Sequence, residues 1–178
     1  DLDNTLWGGI IGEDGFNGIR LGPEPPGNSY MEFKRVLLSL YQRGIILAIN
    51  SKTNYDDALK VIKELPYMVL REEHFASMRI NWNDKVSNMK EITNELNIST
   101  DSMVFFDDDP VNREYMRLNM PQILTVDLPQ DPSQYAQIIK KMNEFSVLNI
   151  TDEDAQRGKM YVEQRKRNDL EQSAPNLE

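Results

Sequence analysis

The sequence predicts an α/β fold with a mainly parallel central sheet flanked by helices. Three observations predict it. Continuous apolar runs, Ile45-Ile46-Leu47-Ala48-Ile49 and Ser102-Met103-Val104-Phe105-Phe106, have the composition of strands buried on both faces. Between them lie segments with apolar residues three and four positions apart, such as Met89, Ile92 and Leu96, the period of a one-sided helix. The two kinds of segment alternate along the chain, the order that parallel strands joined by crossover helices require.

Each element has its own local reason. Residues 6–27 carry Gly8, Gly9, Gly12, Gly15, Gly18, Gly22 and Gly27 with Pro23, Pro25 and Pro26, so this stretch reads as an irregular excursion with a small hairpin around Ile10–Ile11 and Ile19–Leu21. Asn28 or Ser29 is positioned to cap a helix running to about Arg43, with Phe33, Val36, Leu37, Leu40 and Tyr41 on one face and Gly44 at its end. After the strand at Ile45–Ile49 come a helix over Tyr55–Leu65, stopped by Pro66, and a short strand at Met68–Leu70. A helix over Lys85–Leu96 precedes the strand at Ser102–Phe106. Pro110 suits the first position of the next helix. A strand at Ile123–Val126 and a helix over Pro132–Glu144 follow. Thr151 with Asp154 forms a capping arrangement for a charged helix to about Glu171. Two units are expected: an α/β domain over 1–150, and a C-terminal helix over 151–178 that is either a solvated end or a connector to another domain.

Composition narrows the function classes. The chain has 178 residues, no cysteine and one histidine, His74, so thiolate chemistry and His-rich metal sites are excluded. The formal net charge of −9 speaks against nucleic-acid binding. No apolar run is long enough to cross a membrane and no signal-peptide pattern occurs, so a cytoplasmic location without membrane contact is expected.

Four segments carry candidate chemistry, each where a strand gives way to a loop, the edge at which parallel sheets bind ligands. The first is Asp1-Leu2-Asp3-Asn4-Thr5. Alternation along an extended chain puts Asp1 and Asp3 on one side, where their mutual repulsion favours a hard cation such as Mg²⁺. If Asp1 closes a central strand, the apolar residues of that strand are expected upstream of it. The second segment is Asn50-Ser51-Lys52, whose hydroxyl can donate to a phosphate oxygen. The third is Lys85, a point-charge partner for phosphate at the start of a helix. The fourth is Asp107-Asp108-Asp109, three acids that need a cation or a helix N-terminus to compensate them. Each signal alone is weak; the four in this order form a much rarer pattern.

In that order the segments resemble the four motifs of haloacid dehalogenase (HAD) superfamily phosphatases. Asp1-Leu2-Asp3-Asn4-Thr5-Leu6-Trp7-Gly8-Gly9, Ile11 to Gly15, Arg79-Ile80-Asn81-Trp82, Asp107 to Glu114, and the late Thr151–Asp154 segment with Met160-Tyr161 further resemble the FkbH-like branch, subfamily IIIC, over about Asp1 to Arg167. The resemblance implies a Rossmann-like HAD fold with a small flap and no large cap domain. It implies Mg²⁺ as cofactor, with Asp1, Asp3 (through its carbonyl), Asp107 and Asp108 as metal ligands. Asp1 is then the nucleophile that forms an aspartyl-phosphate and Asp3 the general acid–base. Thr5 braces the loop, and Ser51 and Lys85 hold the phosphoryl group. Thr5, Ser51, Lys52, Asn54 and Lys85 make up the candidate substrate-binding set, and Arg79 and Arg113 are further candidates for reading substrate. The implied substrate is a small phosphorylated acid or a carrier-tethered group, with a carrier protein or an adjacent acyltransferase-like domain as partner. Many FkbH-like proteins have Cys where this chain has Asn50 and load a glyceryl group through a thioester; that step is not open to a chain without cysteine.

Other readings compete. A receiver domain has its acidic pair on the first strand and its phospho-acceptor later, the reverse of the order here. A calcium loop counted from Asp1 would need Gly at Leu6 and Glu at Gly12. The serious rival is an FkbH-like transfer partner or binding module with weak or no phosphatase activity.

Overall fold

In the computed structural model, which describes residues 1–146 and 150–174, helices α1 (Ile11–Gly18) and α2 (Gly27–Gln42) precede strand β1 (Leu47–Ser51). Then follow α3 (Tyr55–Glu64), β2 (Phe75–Ile80), α4 (Lys85–Leu96), β3 (Val104–Asp107), α5 (Pro110–Asn119), β4 (Leu124–Asp127), α6 (Tyr135–Lys141) and α7 (Asp152–Ser173). β1 pairs in parallel with β2, and β3 in parallel with β4. The architecture is therefore the mixed α/β, Rossmann-like one expected, with helices flanking short parallel strands. Among the described residues there is no large cap domain, and no helix is long and apolar enough to cross a membrane.

Local chemistry sets the helix boundaries. The Asn54 side-chain oxygen Oδ1 accepts from the amides of Asp56 (3.1 Å) and Asp57 (3.4 Å), which starts α3. Asp84 accepts from the amide of Ser87 at 2.9 Å and starts α4, which ends at Asn97 in the left-handed region (φ 52). Asp109 accepts from the amide of Val111 at 2.8 Å, with Pro110 in the first turn of α5 as expected. Thr151 and Asp154 form the expected capping box of α7. The side-chain oxygens here accept from backbone N–H donors that no preceding turn could satisfy.

Several expectations need correction. The expected hairpin contains α1: only Gly8 and Arg20 exchange backbone hydrogen bonds (3.2 and 2.8 Å), and the residues between them coil, broken at Gly15 (φ 67). The α2 cap is neither Asn28 nor Ser29; Pro26 holds that position, without a side-chain bond. Met68–Leu70 is not a strand. Val69 has φ 64 and the Leu70 amide bonds the Met68 carbonyl at 2.7 Å, a tight turn. The second strand is Phe75–Ile80, where Ser77 and Arg79 dilute the apolar signal. β1 begins two residues later than expected, with Leu47 half-buried and Ala48 exposed, so it is not buried on both faces. α6 is shorter than Pro132–Glu144, with single 3₁₀ turns at each end. Of the C-terminal segment 151–178, residues 175–178 lie outside the described ones.

The main core joins Leu2, Leu6 and Trp7 to Phe33 and Leu40 of α2, Ile49 of β1, and Val61 and Ile62 of α3. Trp7 is fully buried, so the loop after Asp3 is anchored in the core rather than lying on the surface. The charged α7 packs along β2 and on α2, with Gly158, Val162 and Arg165 buried and Gly158 set against the Tyr41 ring of α2. The Arg165 guanidinium donates to the Glu72 carbonyl at 3.4 Å.

Candidate active site

The C-terminal ends of β1 and β3 and the start of α4 converge on Asp1. The backbone nitrogen of Asp1 donates to the Phe106 carbonyl at 3.0 Å, which ties it to β3. Its Oδ1 accepts from the Ser51 hydroxyl at 2.7 Å, at the end of β1, and lies 2.9 Å from the Lys85 Nζ. Lys85 also pairs with Asp107 Oδ2. Both Lys85 and Asp107 are buried, 3% and 0% exposed, so this charge cluster is shielded from solvent and its interactions are weakly screened. A buried lysine is costly unless paired, and here two carboxylates pair with it.

The acidic cluster extends to Asp108. Carboxylate oxygens of Asp1, Asp107 and Asp108 all lie within 4.8 Å of one another. Burial, then the adjoining Asp107 carboxylate, push the Asp108 carboxyl above its usual range, although the Thr5 hydroxyl hydrogen bond pulls the other way. A carboxyl destabilised as an anion beside two other carboxylates is what an all-oxygen site for a hard divalent cation provides. Among the described residues, neither Oδ2 of Asp1 nor Oδ2 of Asp108 receives a hydrogen bond, so both have free lone pairs.

The remaining expected residues fall into two groups. Thr5 is buried and spent on Asp108: its hydroxyl donates to Oδ1 (3.2 Å) and accepts from the Asp108 amide (3.3 Å), so it braces the acidic loop. Arg113 donates to the carbonyls of both Asp107 (2.9 Å) and Asp108 (2.7 Å) from beneath the same loop. Asp3 stands beside the cluster, its Oδ1 accepting from the Trp7 indole and the Ile11 amide. Lys52 and Asn54 are exposed on the loop after β1, with Asn54 occupied as a helix cap. Arg79 lies away from the cluster, bridging Glu91 (2.9 Å) and Glu95 (2.8 Å) of α4. His74 closes a turn by accepting the Arg71 amide at 2.8 Å.

Three supporting side chains escape a reading of the sequence. The Asn50 amide donates to the Lys85 carbonyl at 2.8 Å and is joined through Asn88 to Asn81, a buried amide chain that fixes the start of α4 against β1. Asparagines are too common for this to be visible without coordinates. Lys34 is completely buried on α2, its Nζ donating to the Leu6 carbonyl at 2.7 Å. Its spacing of four from Tyr30, on the inward stripe of the helix, was a usable signal. Trp7 stands inside the first motif, where its indole role is not legible.

Residues 27–146, well over half of the chain, match the family described as Acid Phosphatase. The chain belongs to the acid phosphatase family. No curated protein matches it. Among solved structures, this phosphatase is similar to the N-terminal part of the protein BF1531 from Bacteroides fragilis, which contains a phosphatase domain and is complexed with Mg. The two are 38% identical with a TM-score of 0.81, over 84% of this chain and 40% of that one. The chain therefore spans well under half the length of that relative.

Proposed function

We propose that this phosphatase works by HAD-type chemistry, as a Mg²⁺-dependent phosphohydrolase or phosphotransferase that passes through an aspartyl-phosphate on Asp1. The observation that carries the reading is the convergence of three carboxylates, Lys85 and the Ser51 hydroxyl around one point at the sheet edge. When bound, Mg²⁺ supplies positive charge that offsets the carboxylates and the phosphate oxygens. Asp1, Asp107 and Asp108 are the side chains that would hold it, and the Mg complex of the Bacteroides phosphatase domain supports that assignment.

The chain's own groups then divide the work. Ser51 and Lys85 fix Oδ1 of Asp1, which leaves Oδ2 with free lone pairs to attack phosphorus. As the new O–P bond forms, the bond to the leaving oxygen breaks, and Asp3 delivers a proton to that oxygen. Asp3, now a carboxylate, takes a proton from water as the water attacks phosphorus. Breakage of the aspartyl O–P bond releases phosphate and restores Asp1. Lys85, with a third N–H beyond those given to Asp1 and Asp107, donates to the transferring phosphoryl oxygens, where positioned charge contributes most, and the Ser51 hydroxyl turns from Asp1 to them as the phosphoryl group arrives.

Within the superfamily the reading is the FkbH-like branch, on the residues that carry that resemblance. The substrate is a small phosphorylated acid or a carrier-tethered phosphorylated group, for which a site without a large cap among the described residues leaves room. Asn50 is buried and occupied with Lys85, so the chemistry ends at phosphoryl transfer, without a thioester. The test is hydrolysis of p-nitrophenyl phosphate with Mg²⁺ by the parent protein and by Asp1→Asn. Turnover is expected to vanish in the variant while the fold persists by circular dichroism. Undiminished turnover in Asp1→Asn overturns the assignment.

A further inference from the structure

We infer that Trp7 is a positioning residue for Asp3, fixing the orientation of its carboxyl; the inference rests on the general acid–base role proposed for Asp3. Oδ1 of Asp3 accepts two N–H groups, the Trp7 indole Nε1 at 2.8 Å and the Ile11 amide at 3.0 Å. Neither donor can reverse its polarity, since an indole or amide nitrogen only donates. A proton on Oδ1 would displace one of them and strand a polar group of the loop. Among the described residues Oδ2 is the oxygen without a hydrogen bond, and the plane of the carboxyl is set by where the indole points.

The indole itself is held on every side. Trp7 is fully buried in the main core. The carbonyl before it, on Leu6, accepts from the buried Lys34 Nζ at 2.7 Å. After it, Gly8 is paired with Arg20, and the Gly9 amide donates to the Asn4 side chain at 2.9 Å. Residues 3–11 thus close a small ring of bonds around the Asp3 carboxyl, with the ring's one large side chain sunk in the core. A carboxyl on this loop would otherwise be free to turn about its own χ2. Holding it turns a rotating acid into an oriented one, which is where general acid catalysis gains most from geometry.

The expected signature depends on the leaving group, because protonation matters little when the departing oxygen is already stable. The comparison is made in kcat/KM, which reads only the steps up to departure of the leaving group and not the later attack of water: against p-nitrophenyl phosphate, Trp7→Phe is expected to change it by less than ~5-fold; against phenyl phosphate, with its more basic leaving oxygen, to lower it by ~10–100-fold, part of the ~10²–10⁴ a positioned acid contributes. Asp3→Asn is run beside it. If Asp3→Asn slows both substrates alike, the acid–base role itself fails and the inference goes with it. If Asp3→Asn discriminates between the substrates and Trp7→Phe does not, the role of Trp7 is structural only and the inference alone is overturned. Because Phe leaves space in a packed core, a second variant carries 3-benzothienylalanine at position 7, which keeps the bicycle and replaces only the N–H by sulfur. It must show the same discrimination. A readout free of catalysis uses the indole N–H resonances of Trp7 and Trp82, the latter 73% exposed. The slowly exchanging Trp7 signal is expected to move in Asp3→Ala, and an unmoved signal overturns the hydrogen bond on which the inference stands.

Discussion

Replacing Lys34 by methionine should stabilise this phosphatase at neutral pH, by an amount that shrinks as pH rises. Lys34 has no exposed surface, and burial, with a smaller contribution from the nearby Arg71 charge, lowers its pKa from 10.5 to about 6. Between those two values the unfolded chain holds a proton that the folded chain lacks, so stability rises with pH throughout the window from about 6 to 10.5. At pH 7 roughly 3.5 pH units of that window remain, which at about 1.36 kcal/mol each make the neutral buried amine ~5 kcal/mol unfavourable relative to an ordinary lysine. Methionine removes that cost and keeps an unbranched apolar stem. It also leaves the Leu6 carbonyl without its donor, a loss of ~1–3 kcal/mol. The net expectation is a gain of ~2–4 kcal/mol at pH 7, falling by ~1.4 kcal/mol per pH unit and reaching about zero near pH 9. Urea unfolding of both proteins at pH 7, 8 and 9, each with its m-value, measures it. A difference in stability that stays constant from pH 7 to pH 9 would refute the reasoning, because it would mean that Lys34 is equally protonated in both states.

Two further outcomes follow from the same coordinates. Mg²⁺ is expected to raise the melting temperature of the parent protein in a concentration-dependent way and EDTA to reverse the effect; Asp108→Asn should shift that dependence to higher Mg²⁺, and equal curves would remove Asp108 from the proposed site. Gly158→Ala on α7 should lose ~1–3 kcal/mol despite the better helix propensity of alanine, because its Cβ would sit 2.5 Å from the Tyr41 ring; a stabilised variant in differential scanning calorimetry would show that α7 does not pack on α2 as described.

How much of this was legible depended on whether the determining force was local. α4 spans Lys85–Leu96 both in the sequence and in the structure, because a capping aspartate and a regular apolar stripe specify it within one segment. α5 begins at Pro110 for the same kind of reason. Phe75–Ile80 could not be read, since Ser77 and Arg79 look polar in sequence and are made tolerable only by α4, whose Glu95 accepts from the Ser77 hydroxyl and pairs with Arg79. The candidate site divides the same way. Residue types at strand ends pointed to Asp1, Ser51, Lys85 and Asp107, and the coordinates bring these four together. Arg79 was drawn in by its charge alone, and its partners turn out to be glutamates on α4 rather than the site. Thr5 and Arg113 act on the acidic loop from behind, a relation across about a hundred positions for Thr5 that no spacing rule expresses.

The least expected departure, the incomplete burial of Ile45–Ile49, has a physical cause in the arrangement of the strands. β1 and β3 each pair on one side only among the described residues. Between their other edges runs a cavity of about 730 Å³, lined by Leu47 and Ile49 of β1, Phe105 of β3, Leu40 of α2, and Met89 and Ile92 of α4. An apolar run that reads as a strand covered on both faces is therefore covered on one, with its ladder groups on the other side facing this space. Asp1 lines the same cavity, bonded to Ser51 on one side and to Phe106 on the other. The sequence rule for doubly buried strands misleads here because it counts apolar residues, whereas the covering of each face is set by neighbouring elements distant in the chain.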